Sequence, residues 1–226
     1  MPYIIAIDGP AGAGKSSVAR RLAMALNFTY LDTGAMYRAV ALTAQQQGIS
    51  EADEAALAEL ARELQLQFSP LTEEGKQQLA VNGADVTAAI RTPAVSSLTS
   101  KISALPAVRQ VIVEQQRRIG AETATGVVLE GRDIGTVVFP KAQLKIFLTA
   151  SPEERARRRA EELRMQGLPV EFDVILKEQI ERDTRDSGRA DSPLTAAPDA
   201  ILLSTEGLPL AEVVAKILSL YAQARH

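Results

Sequence analysis

Cysteine is absent from this 226-residue chain, and histidine occurs once, as His226 at the C-terminus. Without thiols there is no disulfide frame and no thiol chemistry, and a Cys/His zinc site cannot be assembled. A histidine general base is equally disfavoured, because a terminal residue is poorly held by a fold. No apolar run approaches the ~18 residues of a membrane span. There is no basic excess either: 25 Lys and Arg against 28 Asp and Glu leave a net charge of −3, the reverse of a general nucleic-acid binder's footprint. Met1-Pro2-Tyr3 runs directly into an apolar segment, which predicts no signal peptide and a cytoplasmic protein. Internal repeats and low-complexity tracts are missing too. Chemistry is left to carboxylates, Lys and Arg, hydroxyls, backbone dipoles and a bound hard cation.

What is present is a glycine-rich octet at the end of that first apolar run. Tyr3-Ile4-Ile5-Ala6-Ile7-Asp8 leads into Gly9-Pro10-Ala11-Gly12-Ala13-Gly14-Lys15-Ser16, then Ser17 and an apolar-periodic stretch through Val18, Leu22 and Leu26. The octet fits G-x-x-x-x-G-K-[ST] and lies between a predicted strand and a predicted helix. Free backbone N–H groups and the positive end of the helix then face a phosphate. Lys15 is placed to reach the terminal phosphates of a nucleoside triphosphate, and the Ser16 hydroxyl to be a ligand of Mg²⁺.

The length suits one α/β domain with insertions. Tyr3–Asp8, Phe28–Asp32, Val127–Glu130 and Leu144–Thr149 read as buried parallel strands, with Ala200–Ser204 a fifth; helical patterns separate them, which predicts helices on both faces of a parallel sheet. Ligands of such sheets sit beyond the carboxyl ends of the strands. There the chain has Asp8-Gly9, Asp32-Thr33-Gly34 and Glu130-Gly131-Arg132-Asp133, so the polar candidates converge on one rim. Residues 63–92 break the alternation: Leu64, Leu66 and Phe68 follow period two, and Asn82-Gly83 is a strong hairpin signal, so a small antiparallel sheet is expected there. Residues 151–166 read as a helix with Ser151 as N-cap, Pro152 at N1 and Glu154 completing a capping box. Glu171–Asp186 reads as its return helix.

A phosphate-binding loop serves GTPases, motors, transporters and small-molecule kinases alike. The guanine reader Asn-Lys-x-Asp is absent, and no aspartate is followed three residues later by glycine, which removes the GTPase reading. A second set of arginines favours a kinase, which must bring two polyanions together and shield them from water. Nine Lys and Arg lie between Ser151 and Arg189, among ten Asp and Glu. A solvated, salt-bridged helix pair also produces that pattern. Glu130, ending an apolar strand, occupies a Walker-B-like place or serves as a cap or ion-pair partner. Asp133 reads as a base contact, a helix N-cap or a neighbour of Arg132, and Ser100 and Arg109 could be ordinary surface-helix residues.

Four segments taken together closely resemble the bacterial cytidylate kinases. They are Ile7 to Ser17, Leu31-Asp32-Thr33-Gly34-Ala35-Met36-Tyr37-Arg38, Glu130-Gly131-Arg132-Asp133 running on to Phe139-Pro140, and Glu181-Arg182-Asp183 with Arg185, Asp186 and Arg189. The likeness extends over essentially the whole chain. It implies a P-loop NTPase-type parallel sheet flanked by helices, with an inserted antiparallel β-sheet module and a helical lid. It implies one nucleoside monophosphate kinase domain over 1–226, with a nucleoside-monophosphate-binding region at 35–110 that contains the inserted sheet (about 63–92), and a lid at 151–189.

The implied reaction is ATP + CMP (or dCMP) ⇌ ADP + CDP (or dCDP) with Mg²⁺, by a monomer acting on no membrane or nucleic acid. Matched position by position, Arg38, Arg132 and Arg189 are expected to grip the CMP phosphate. Ser100, Arg109 and Asp133 are expected to read the cytosine edge, and Arg182 and Asp186 the sugar. Thr33 stands where some members have serine, and Glu130 where some have aspartate. Gly9 to Ser17 are expected to hold ATP, with Ser16 on the metal. Direct in-line transfer is expected, with Lys15, Arg132, Arg155 and Arg159 neutralising charge. The alternatives are a kinase for UMP or AMP, or an ATP-binding regulator without chemistry.

Overall fold

The computed structural model describes residues 2–165, 167–189 and 191–224; His226 lies outside the described residues. The chain alternates between strand and helix: β1 (Tyr3–Asp8), α1 (Lys15–Leu26), β2 (Thr29–Asp32), α2 (Thr33–Gln47) and α3 (Glu54–Glu63). Short strands β3 (Leu66–Phe68), β4 (Leu79–Val81) and β5 (Ala84–Asp85) follow, then α4 (Pro93–Ile102), α5 (Pro106–Glu122) and β6 (Gly126–Gly131). The remainder is β7 (Leu144–Thr149), α6 (Pro152–Met165), α7 (Phe172–Ser187), β8 (Ile201–Ser204) and α8 (Leu210–Ala224). The main sheet has the order β2-β6-β1-β7-β8, with every pair parallel.

Strand side chains alternate between faces, so each central strand feeds two cores. Ile5 and Ile7 of β1, Tyr30 of β2 and Val128 of β6 pack with α1 and α8 residues such as Val18, Leu22, Val213 and Ile217. Ala6, Leu31, Val127 and Leu129 point the other way, into a larger cluster with Met36, Val40, Leu57 and Ile112 from α2, α3 and α5. In β1, β6 and β7 the near-continuous apolar runs thus follow from burial on both faces, as the sequence predicted; β8, at the sheet edge, is mostly exposed instead. The second strand begins at Thr29, not Phe28. Phe28 leaves the strand because its ring packs against Tyr3 and Tyr221, with Asn27 left-handed before it.

The expected antiparallel insertion is present, in the order β3-β4-β5. Asn82 (φ 51°) and Gly83 (φ 84°) both take positive φ, the requirement of a type I′ hairpin. Leu79 and Val81 bury into the larger core cluster, and Gln77 Nε2 donates to the Tyr30 carbonyl at 3.1 Å. The small sheet is therefore anchored to β2.

The α6–α7 hairpin has its own small apolar cluster, Ala156, Ala160 and Ile175 with Leu163, Val170 and Leu176. The N-cap of α6 departs from expectation. Ser151 Oγ accepts from the Glu154 amide (3.3 Å), but the Ser151 amide donates to Glu206 (3.3 Å) and not back to Glu154. Arg157 and Arg158, one turn along, take the Glu154 carboxylate instead. No helix among the described residues is long and apolar enough to cross a membrane.

Candidate active site

β1 ends beside both of its neighbours, with Asp8 level with Gly131 of β6 and Phe147 of β7. Gly9 follows at φ 145°, and a Cβ there would lie 2.0 Å from the Leu148 carbonyl oxygen; only glycine lets the loop leave the sheet at this point. Gly14 (φ 85°) starts α1 without a side-chain cap, which leaves the first N–H groups of α1 free for an anion. Lys15 is buried, and its Nζ donates to the Pro10 carbonyl at 2.7 Å. Burial first, then Arg132, holds its pKa well below the usual lysine value, against Glu130 and Asp8.

Glu130 reaches the same point from β6. Tyr30 donates its phenol proton to Glu130 Oε1 at 2.5 Å, and the Ser16 hydroxyl hydrogen-bonds to the same carboxylate. Burial and then Asp32 raise its pKa, against Lys15, Ser16 and Tyr30. Glu130 is neither a helix cap nor a surface ion-pair partner; it stands between a hydroxyl of the phosphate loop and a buried phenol. Thr33 commits its hydroxyl to the Glu130 carbonyl at 2.6 Å.

The arginines expected on the acceptor side come together. Asp186 is their common counter-ion: its Oδ2 accepts from Arg132 Nε at 3.0 Å, its Oδ1 from Arg189 NH2 at 2.6 Å, and Arg182 Nε stands 4.0 Å away. Burial and then Arg132 draw the Arg182 pKa down to about 10. Arg38, which donates to Ser96 Oγ (2.6 Å) and the Ile90 carbonyl (3.1 Å), has its pKa lowered by burial. Arg91, Arg132 and Arg159 also press on it, and Asp32 opposes them. Arg132 is the link between halves, since it also bears on Lys15.

A second group lies beside this one. Arg109 is buried, pairs with Asp133, donates to the Ser103 carbonyl (2.9 Å) and stands 5.7 Å from the centre of the Tyr37 ring. Arg189 joins the groups by donating to Ser103 Oγ at 3.2 Å. Ser100 Oγ is buried without a hydrogen-bond partner, a polar atom left for a ligand. Asp133 is at the N-cap position of a five-residue π-type turn, Ile134–Val138, yet its side chain makes no cap bond.

The two arginines of α6 expected to neutralise charge, Arg155 and Arg159, differ from each other. Arg155 is buried, with Nε on the Ala150 carbonyl (3.0 Å), NH1 on the Ala11 carbonyl and Gln179 (both 3.0 Å), and NH2 on Asp183 (2.5 Å). Any direct action on a phosphoryl group requires those bonds to be given up. Arg159 is half-exposed and pairs with Glu162 at 2.6 Å. Sequence reasoning missed Arg158, which donates to the Thr205 carbonyl (2.7 Å) and hydroxyl (3.0 Å), while that hydroxyl donates to Ala13 of the phosphate loop (3.2 Å). It also missed Tyr30 and the part played by Asp8, whose partners are remote in sequence.

The cytidylate kinase family model matches residues 5–223. The cytidylate kinase of Solibacter usitatus (strain Ellin6076) is 51% identical over 219 residues, covering 96% of this chain and 91% of that protein. That of Carboxydothermus hydrogenoformans (strain ATCC BAA-161 / DSM 6008 / Z-2901) is 53% identical over 216 residues, covering 96% of each. The bifunctional pantoate ligase/cytidylate kinase of Synechococcus elongatus (strain ATCC 33912 / PCC 7942 / FACHB-805) is 55% identical over 221 residues, and there the alignment covers 96% of this chain but only 42% of the relative.

Proposed function

This chain belongs to the cytidylate kinase family, whose members are ATP-dependent phosphotransferases acting on CMP, and on that premise we propose that it converts ATP and CMP or dCMP into ADP and CDP or dCDP. The observation that carries the reading is the meeting of two sites. A phosphate loop with a buried Lys15 lies against Arg132, Arg182 and Arg189, which gather on the single Asp186 carboxylate, with Arg38 near enough to feel the charge of Arg132. One triphosphate does not need that many cations; two nucleotides side by side do.

In this reading Gly9 to Ser17 hold the ATP phosphates, and Arg38, Arg132 and Arg189 grip the acceptor phosphate. Asp133, Arg109 and Ser100 read the base, and Arg182 and Asp186 contact the sugar. Cytosine presents an amine donor where uracil presents a carbonyl, so a carboxylate favours the first and repels the second. The Thr33 hydroxyl, bonded to the Glu130 carbonyl, supports the wall of this site more than it reads a ligand.

The Ser16 hydroxyl beside the Glu130 carboxylate offers hard oxygen donors. Among the described residues no three His, Cys, Asp or Glu gather to cage a metal. That donor set fits Mg²⁺, which keeps its waters and takes few protein ligands; Ser16 would hold it, with Glu130 behind. Mg²⁺ held there would supply positive charge against the phosphates of the donor. The chain's own part is positional: Lys15 and Arg132 cancel charge between donor and acceptor, and direct in-line attack needs only the anionic acceptor oxygen.

We assign 35–110 as the acceptor-binding region and 151–189 as a lid. The separate apolar cluster of α6–α7 and its Arg155 bond to the loop carbonyl of Ala11 support the lid. A module that opens and closes in this way functions as a monomer, here in the cytoplasm. The test measures ADP release from ATP and Mg²⁺ with CMP, dCMP, UMP and AMP offered separately. Preference for CMP or dCMP is expected. Preference for UMP or AMP overturns the base-reading assignment, and no ADP with any acceptor leaves the regulator reading.

A further inference from the structure

Asp8 is buried at the end of β1, and both of its carboxylate oxygens are occupied by backbone donors from the far side of the chain. Oδ1 accepts from the Ile134 amide at 2.8 Å and Oδ2 from the Gly135 amide at 2.7 Å. Those are the first amides of the π-type turn Ile134–Val138, whose carbonyl bonds close from Asp133 to Val138 and from Ile134 to Phe139. First-turn amides have no partner inside a helix, and the residue at the N-cap ordinarily supplies one from its own side chain. Here that residue is Asp133, a strong capping type, and it does not cap. Its carboxylate is turned to Arg109 instead.

The Asp8 carboxylate is closely enclosed on the side of the turn. A Cβ on Gly135 would come within 3.3 Å of Asp8 Oδ2 and 3.1 Å of the Lys145 stem. The Lys145 stem closes the remaining side while its Nζ is spent on the Pro140 carbonyl (2.6 Å) and Asp199 (2.8 Å).

We infer that Asp8 is a positioning residue for acceptor specificity: by capping Ile134 and Gly135 from β1, it releases Asp133 from capping its own turn and fixes it, with Arg109, toward the acceptor base. The inference rests on the reading of Asp133 as a base contact. It also explains why one strand end serves both substrates. The residue immediately before the ATP loop holds the segment that selects the nucleotide to be phosphorylated, so the two pockets share one rigid reference.

The experiment is a double-mutant cycle on selectivity, using Asp8→Asn, Asp133→Asn and the double variant, with kcat/KM for CMP and for UMP measured at saturating ATP. The carboxamide introduced by Asp8→Asn offers one acceptor oxygen and a repelling NH₂ group where two acceptors are needed. Asp133→Asn is expected to lower the CMP-over-UMP ratio about a hundredfold. Asp8→Asn should lower it about tenfold through the KM for CMP, and the double variant should be no less selective than Asp133→Asn alone. General damage to the fold would lower both acceptors together and leave the ratio intact.

Full selectivity in Asp133→Asn sinks the base-contact reading itself. Loss there with an unchanged ratio in Asp8→Asn, or losses that multiply in the double variant, overturns the role of Asp8 alone. Should Asp8→Asn not fold, amide hydrogen exchange on the unaltered protein decides the matter. Ile134 and Gly135 are expected to be protected, and exchange as fast as that of exposed loop amides overturns the inference.

Discussion

Arg155 donates to the carbonyl of Ala11 at 3.0 Å, across 144 positions of sequence. A helix outside the main sheet thus grips the tip of the phosphate loop, and a Cβ on Gly12 would meet Arg155 Cβ at 3.0 Å. Arg155→Ala strips donors from the Ala11 and Ala150 carbonyls, Gln179 and Asp183 at one stroke. Breaking one side of a buried ion pair costs about 3–5 kcal/mol, so the urea midpoint should fall accordingly. Arg155→Lys should recover only a fraction, because an ammonium cannot span four acceptors in one plane. The KM for ATP should rise more than that for CMP, since the loop loses its outer support.

Lys15 is the opposite case. Burial, and then Arg132, pushes its pKa down against the pull of Glu130 and Asp8, so its charge opposes folding. Lys15→Met keeps most of the volume and removes that burden. Turnover should fall at least about a thousandfold, while the thermal midpoint holds or rises. A variant that retains activity would remove Lys15 from the phosphoryl path.

Asp8 gives a pH signature. Burial raises its pKa from 3.8 to about 6, with Asp133 adding to the rise and Lys15 and the two backbone N–H bonds opposing it. The folded pKa lies above the unfolded one, so its contribution to stability is fully present below pH 3.8 and is lost as pH rises through about 6. The interval is worth about 3 kcal/mol. Unfolding free energy should therefore show a decline between about pH 4 and 6 that Asp8→Asn lacks. A carboxyl carbon resonance of Asp8 should titrate near pH 6 by NMR; a midpoint near the ordinary aspartate value would contradict the burial.

The sheet was legible because burial on both faces writes itself as apolar runs, and the loop because its glycines are dictated by geometry: Gly9 has a carbonyl 2.0 Å from any Cβ. Asn82-Gly83 announced its hairpin by the φ values only such residues take easily. A second set of arginines was legible in the sequence, but which of them share one site was legible only through resemblance, since nothing in local pattern separates Arg189, on Asp186, from Arg159, on Glu162. Long-range partners were the illegible part. That Glu206 rather than Glu154 receives the Ser151 amide, or that Asp8 caps a turn beginning at Ile134, depends on which strands become neighbours. No spacing along the chain carries that information.

The same limit applies to Asp186, which reads locally as one acid in a charged helix. Burial pushes its pKa up, but Arg132, Arg189 and Arg182 outweigh burial and hold it below 3.8. Its contribution to stability is therefore present above pH 3.8 and lost as pH falls through its lowered folded value. Asp186→Asn leaves those guanidinium groups to repel one another, at a cost of about 3 kcal/mol. A divalent anion placed among them should return part of it. Added sulfate should raise the melting temperature of Asp186→Asn several-fold more than that of the unaltered protein, and CMP should do the same, while kcat/KM for CMP falls at least about tenfold if Asp186 contacts the sugar as proposed. Equal sulfate responses in the two proteins would mean that the three arginines do not share one anion site.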